Sequence, residues 1–445
     1  MALEVLLTFR PSFAATSACP REYSATDTER GRCAPNALAT PITNRLMSAP
    51  PEAATIAPGR TVGWASFCLI YSLGLIAGSS YGMAGPLVGE VASTLGASVT
   101  SVGLVLILLP LPSVVLSAAI GAAVDWLGSR TIMLVGAVLM VIADGLQLVA
   151  NTLAWFAWDL LLQGIAASLI LSAGQVMISR AFCGPDQTRA LSIWSTVNFV
   201  GYAAGLLAAG IAASGPGWRS AFQVQAIVAA GMALGAILLP RVRQASATGR
   251  PAISRLLKET AALRICFALG VSAVAGVGTN AGVSLYLHNT HHIPLGVAAS
   301  AAALGNIICI PGALITGWLL SRGRSALRLM FGITTVAIIS GTLVYIPFAS
   351  FGLAVIALYA YQLCLSAATA LTYAAMPVAL RDRSQLGTAT GLLLQIGGAG
   401  GMIGPTLFFA IMAAGDWRLL AATLVALWLV ALLMFPIRTR ARGTR

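Results

Sequence analysis

Acidic residues are scarce in this chain: 13 Asp and Glu stand among 445 residues, beside 26 Lys and Arg and three His. Charged residues of both signs make up 9% of the sequence, where a soluble domain carries about 25%. A water-facing surface of ordinary size is therefore excluded. All three histidines sit in "HNTHH" (288–292), with no acid or thiol nearby, and the seven cysteines (19, 33, 68, 183, 266, 309 and 364) are scattered without a CxxC pair. That pattern points to no metal site and no cofactor. A metal-binding His-Glu motif is missing, as is a Ser-His pair at a shared depth, so the chain does not read as an intramembrane enzyme. Period-2 alternation is also missing, which excludes a membrane barrel.

What is present is apolar: 58% of residues are hydrophobic and the mean hydropathy is +0.88. Backbone groups in lipid must be satisfied within their own segment, so the long apolar runs predict membrane-spanning helices. Twelve are expected, at about 62–88, 99–123, 131–150, 154–179, 190–213, 219–239, 265–287, 297–320, 327–348, 353–380, 388–413 and 418–437. The fold class is thus all-α integral membrane protein, with two six-helix bundles over 61–239 and 264–437. The polar stretch 240–263, "PRVRQASATGRPAISRLLKETAAL", reads as the linker between them.

Placing the N-terminus in the cytoplasm puts 24 of the 26 basic residues in cytoplasmic tails and loops, all but Arg219 and Arg418. The linker and the basic tail 438–445 are then cytoplasmic as well. The same asymmetry accounts for the net charge of +13 by contact with anionic lipid rather than nucleic acid. Residues 1–60, rich in Ala, Pro, Thr and Arg, predict a disordered cytoplasmic tail. Met47 opens an ordinary short tail, "MSAPPEAATIAPGR", which makes 1–46 dispensable in one reading.

The halves repeat. At an offset of 199, Gly201, Gly205, Trp218 and Arg219 overlay Gly400, Gly404, Trp417 and Arg418, and Gln163 overlays Gln362. At 196, Leu73, Gly74, Ala77 and Gly82 overlay Leu269, Gly270, Ala273 and Gly278. The Trp-Arg pair at one topological place in both halves is the informative match, and internal repeats of this kind are how many transporters are built.

Between the second and third helices lies "IGAAVDWLGSRTIML" (120–134). Its glycine, acid four residues on, second glycine and base (Gly121, Asp125, Gly128 and Arg130) resemble the signature loop of the major facilitator superfamily. Trp126 and Ser129 stand where that family usually has other residues, and the matching loop of the second half, "GWLLSRGRSALR" (317–328), has Ser321 in place of the acid. Glycines allow a tight turn and close helix approach. Asp125 can sit at a neighbouring helix terminus or pair with a base, latching one conformation.

The resemblance covers residues 62 to about 437 and implies alternating access by two bundles around a central cavity lined by helices one, four, seven and ten. Helix ten offers Tyr359, Gln362, Ser366, Thr369 and Tyr373 at steps of three and four, a polar and aromatic face expected to form a cavity wall. Helix one offers Tyr71 and Tyr81, helix four Gln163, and helix seven Thr279, Asn280 and Tyr286. Acids inside lipid are costly and default to functional roles. Asp159, one turn from Gln163, is the expected proton-coupling residue and Asp144 the second choice.

Helix four lacks the Arg that proton-driven drug exporters often carry before a Gln-Gly pair, having Leu160, Gln163 and Gly164. No basic residue lies in mid-membrane, and Arg180 reads as a snorkelling anchor. The cargo expected is a small neutral, zwitterionic or weakly cationic organic solute, carried with protons by a monomer in the cell (inner) membrane. A multidrug-type proton antiporter and a non-transporting sensor on the same fold are the alternatives.

Overall fold

The computed structural model describes residues 63–436 except 85, 214–216, 240–255, 257, 348, 381 and 414–415. The tail read over 1–60, most of the 240–263 linker and the 438–445 tail lie outside the described residues. Among those described, every regular element is helical. The first span is α1 (Trp64–Ala84). A short helix, α2 (Val88–Leu95), precedes a second span broken into α3 (Val99–Val105), a 3-10 turn at Leu106–Leu108 and α4 (Leu111–Leu127). Spans three and four are α5 (Ser129–Leu148) and α6 (Leu153–Ala181). Span five is split into α7 (Gly184–Trp194) and α8 (Val197–Ala213), and span six is α9 (Trp218–Ala236). Span seven is α10 (Thr260–His291), and span eight is split into α11 (Leu295–Ile308) and α12 (Ile310–Ser321). Spans nine to twelve are α13 (Ala326–Val344), α14 (Phe351–Ala379), α15 (Leu386–Ala413) and α16 (Trp417–Met434).

Among the described residues, eleven spans are long and apolar enough to cross a bilayer. The exception is α9, which carries Arg219, Gln223 and Gln225. Three spans expected to be continuous are interrupted, each for a local reason. Pro110 and Pro112 cannot donate within span two, and Pro311 opens α12. In span five the hydroxyls of Ser195 and Thr196 bond Ser192 O and Ile193 O, each at 2.7 Å, and so compete for helix carbonyls. The "HNTHH" segment, beyond the expected helix end at 287, is the last turn of α10 up to His291, and His292 (φ 52) ends it.

Side chains mark several starts. Thr152 Oγ1 accepts from Trp155 N at 3.2 Å to open α6, and Ser350 Oγ accepts from Leu353 N at 3.3 Å to open α14. The turns between spans two and three and between eight and nine pass through Gly128 (φ 92) and Gly323 (φ 77), a region closed to most side chains.

Within residues 64–236, α1 packs on α8, α5 on α6 and α9, and α4 on α6. Within 260–434, α10 packs on α15 and α16, α13 on α14 and α16, and α12 on α14. Glycines set the closest of these contacts. A methyl group on Gly205 would stand 2.1 Å from Ser79 O, and one on Gly400 2.1 Å from Gly270 O. The α1–α8 and α10–α15 pairs are thus built alike, at the glycines the two halves share in sequence.

The buried apolar side chains form three clusters. One, running from Phe67 to Phe435, draws on both halves at the end where α9 stops and α10 begins, here called the linker end. The other two are confined to a single half each: Met83 to Phe222 in the first, Ala275 to Trp428 in the second. The halves therefore share one core at the linker end and keep separate cores at the far end.

Candidate functional site

Polar side chains buried in the far half of the first six spans converge on two acids. Asp144 of α5 is 0% exposed and Asp159 of α6 is 3% exposed. Asp144 Oδ1 accepts from Gln163 Nε2 at 2.7 Å and from Gln225 Nε2 at 3.1 Å. Gln225 also donates to Ser80 Oγ at 2.8 Å and accepts from Ser79 Oγ at 3.0 Å, so the network spans α1, α5, α6 and α9. Both oxygens of Asp159, Oδ2 of Asp144 and Oε1 of Gln147 are buried and make no hydrogen bond. Asp159 lies within electrostatic reach of Asp144 and beside Gln147. Gln163, expected on the cavity wall, is instead turned into the first half: bonding an acid satisfies a buried amide in a way an open wall does not. Gln225, Gln147, Ser79 and Ser80 were missed by the sequence reading. The signal available was the recurrence of glutamines in otherwise apolar spans.

The second half has a polar interior of its own. Gln362 donates to Asn280 Oδ1, and Ser366 Oγ donates to Cys309 O at the break in span eight. Tyr286 OH donates to Tyr345 O at 2.6 Å, and Trp428 Nε1 to Tyr361 OH at 3.3 Å. Thr279 is fully buried with Tyr345 and Tyr361 as neighbours. The polar stripe of α14 accordingly packs on α11 and α12: a methyl on Gly312 would stand 2.5 Å from Ser366 Oγ, and one on Gly305 3.3 Å from Gln362 Cγ. Tyr373 is buried in the linker-end core. Of the eleven residues expected to line a cavity, Gln163, Thr279, Tyr286, Gln362, Ser366 and Tyr373 are buried, and Tyr71, Tyr81, Asn280, Tyr359 and Thr369 are half-buried. Serine, threonine and amide groups surrounded by hydrocarbon are spent first on bonds between helices. Tyr71 bridges to span five, its hydroxyl 2.7 Å from Thr196 Oγ1.

The third grouping joins the halves. Asp125, near the end of α4, accepts from Gly387 N at 2.8 Å, Thr388 N at 2.7 Å and Thr388 Oγ1 at 2.9 Å, at the start of α15. Those amides are among the first of the helix, which lack partners of their own, and the positive end of its dipole favours an anion there. Arg180 Nη2, from the last turn of α6, completes the set at 2.7 Å from Asp125 Oδ1. The base is thus Arg180, which is no mere anchor, while Arg130 donates to Ile237 O at 2.5 Å beyond the end of α9. Arg130 is drawn there by unpartnered carbonyls at a helix C-terminus. Arg219 does the reciprocal thing at the far end, donating to Leu148 O and Ala150 O behind α5. Gly121 brings α4 against α15: a methyl there would stand 2.1 Å from Gly387 O, and one on Gly391 2.0 Å from Ser117 O. Further along the same seam, Ala118 N donates to Gln395 Oε1 at 3.2 Å.

No cluster of three or more His, Cys, Asp or Glu able to hold a metal occurs among the described residues.

No curated protein matches the sequence. The human organic anion transporter MFSD10 (TETRAN) has a similar fold, with TM-score 0.68 at 16% identity, covering 85% of this chain and 100% of that one. The Escherichia coli fucose:proton symporter FucP gives 0.69 at 14%, covering 84% and 98%. FucP in an outward conformation gives 0.67 at 15%, covering 83% and 97%. Likeness at these identities shows the fold. The family model described as Major Facilitator Superfamily matches residues 70–405, from the first span into the eleventh, and the chain is an integral membrane transporter, not an enzyme, and belongs to the major facilitator superfamily.

Proposed function

We propose that this protein moves a small neutral, zwitterionic or weakly cationic organic solute across the cell membrane by alternating access, coupled to protons. The observation that carries the proposal is the pair Asp144 and Asp159, two carboxyls buried in one half with no cation bonded to them. Two such groups are costly as ions, and taking up a proton removes that cost. A fucose:proton symporter among the fold neighbours supports proton coupling as something this architecture accommodates. The charge of the cargo is argued from Arg180, which is bonded to Asp125 and so leaves no counter-charge for a strong anion. With the linker end cytoplasmic, as the distribution of basic residues supports, the shared core makes this a conformation closed toward the cytoplasm.

The test is purified protein in liposomes loaded with a pH-sensitive dye, offered neutral, zwitterionic and cationic solutes in turn. Solute-dependent proton movement is expected for at least one of them, and lost in Asp159→Asn. Solute uptake without any proton movement, unchanged by collapse of the gradient, sinks the coupling.

A further inference from the structure

We propose that Asp144 and Asp159 form a one-proton site in which Asp159 carries the proton and Asp144 stays ionised, with Gln163 and Gln225 fixing that assignment. This rests on the proton-coupled reading above and names the carboxyl that does the work. The two acids are alike in chemistry and in burial, so their hydrogen bonds distinguish them. Asp144 Oδ1 accepts from two amides, Gln163 Nε2 at 2.7 Å and Gln225 Nε2 at 3.1 Å. Donors of this kind favour the charged form of a carboxyl. Asp159 is less well supplied: neither of its oxygens has a partner at hydrogen-bond geometry, and the one amide beside it is that of Gln147.

A hydroxyl on Asp159 supplies the one thing the cluster lacks, a donor. Gln147 Oε1, on the side chain beside Asp159, is a buried acceptor without one, and buried polar groups are ordinarily paired. A single proton also removes the repulsion between two carboxylates within electrostatic reach of each other. A second proton would strip Asp144 of the charge toward which two amides are turned. The other charged groups on the surrounding helices are engaged elsewhere. Arg219 of α9 bonds Leu148 O and Ala150 O, and Glu90 of α2 accepts from Trp218 N at 2.9 Å. Arg130 of α5 and Arg180 of α6 lie at the linker end, on Ile237 O and Asp125.

The chemistry is proton transfer alone. Release breaks the Asp159 O–H bond and passes the proton to water on the open side; uptake reforms it, with no electron changing hands. The state of the pair reaches α1 through Gln225, whose amide bonds both Ser80 and the half-buried Ser79. Protonation is in this way tied to α1, which packs on α8.

Infrared difference spectroscopy on the full chain in nanodiscs, titrated with acid and base alone, reads the site without any cargo. The wild type is expected to show one titrating protonated-carboxyl C=O band that Asp159→Asn abolishes and Asp144→Asn retains. Gln225→Leu, which removes a donor from Asp144, should add a second such band, and Gln163→Leu should do the same. Retention in Asp159→Asn with loss in Asp144→Asn overturns the assignment, as does a wild-type amplitude of two carboxyls. Should either Asp variant fail to fold, the two glutamine variants decide: no second band in both overturns the proposal. Wrong bands with intact solute-driven proton movement sink this assignment alone; correct bands without such movement sink the transport reading alone.

Discussion

Asp125 is held by four donors on three residues, two of them backbone amides at the start of a helix from the other half. These bonds cross between the halves at the linker end, so a conformation open there would break them, and their loss is expected to act on the balance between conformations. Hydrogen bonds to a charged group contribute about 2 kcal/mol each, and losing the equivalent of one moves a two-state equilibrium by roughly 30-fold. Asp125→Asn should therefore slow turnover and raise labelling of cysteines placed on the closed side of the seam, with solute binding largely kept. Normal expression with unchanged transport would show that the contact is not a latch. Arg180→Leu should act in the same direction, since it leaves the Asp125 carboxylate buried without its cation. At the acid pair, Asp159→Asn is expected to abolish gradient-driven accumulation yet keep exchange of solute for solute, which needs no net proton movement. Asp144→Asn should keep accumulation but move its pH profile toward lower pH, because Asp159 then loses the facing anion that helps it hold a proton. An Asp159→Asn variant that still concentrates solute would remove it from the coupling step.

Glycine contacts of two kinds hold the helices, and they should fail differently. Gly205 seats α8 on α1 inside one half, while Gly391 seats α15 on α4 across the two halves. Overpacking by one methyl costs about 1–3 kcal/mol where the neighbours cannot move. Gly205→Ala strains a contact present in every conformation and should lower the thermal midpoint of the purified protein. Gly391→Ala strains a contact that opening relieves; it should leave the midpoint close to the wild type and favour the conformation open at the linker end. Equal midpoints for the two variants, with no difference in cysteine labelling across the α4–α15 seam, would contradict this division. The spacing of Gly201, Gly205, Gly400 and Gly404 made both seams within the halves visible as a sequence repeat. The α4–α15 seam was not visible, because Gly387 and Gly391 lie 266 or more positions from Gly121 and no repeat pairs them.

For the molecule as a whole, the distribution of basic residues predicts that the linker lies inside and the α10–α11 turn outside. In a background without native cysteines, Asn289→Cys should react with an impermeant reagent applied to intact cells and Thr248→Cys should not. The reverse result would invert the topology, and with it the sidedness of the shared core at the linker end. Inversion would leave the geometry of the acid pair untouched.

Composition alone determined that this chain lives in a bilayer, since a sequence with so few charges has no other way to meet its surroundings. Length and hydropathy determined the number of spans, and the loop at Gly121 to Arg130 determined the family it resembles. What polar residues do inside the spans was decided only by packing. Gln163 and Gln225 read as isolated amides until α5, α6 and α9 brought both onto Asp144. Arg130 and Arg180 exchanged their expected roles because the free carbonyls beyond α9 and the carboxylate of Asp125 lie within reach of different arginines once the helices are in place. The physical reason is general to such chains: hydrocarbon sets a span's length through a sum over its residues, which a sequence displays, whereas a buried polar group must find one partner at hydrogen-bond distance, and that partner comes from another helix.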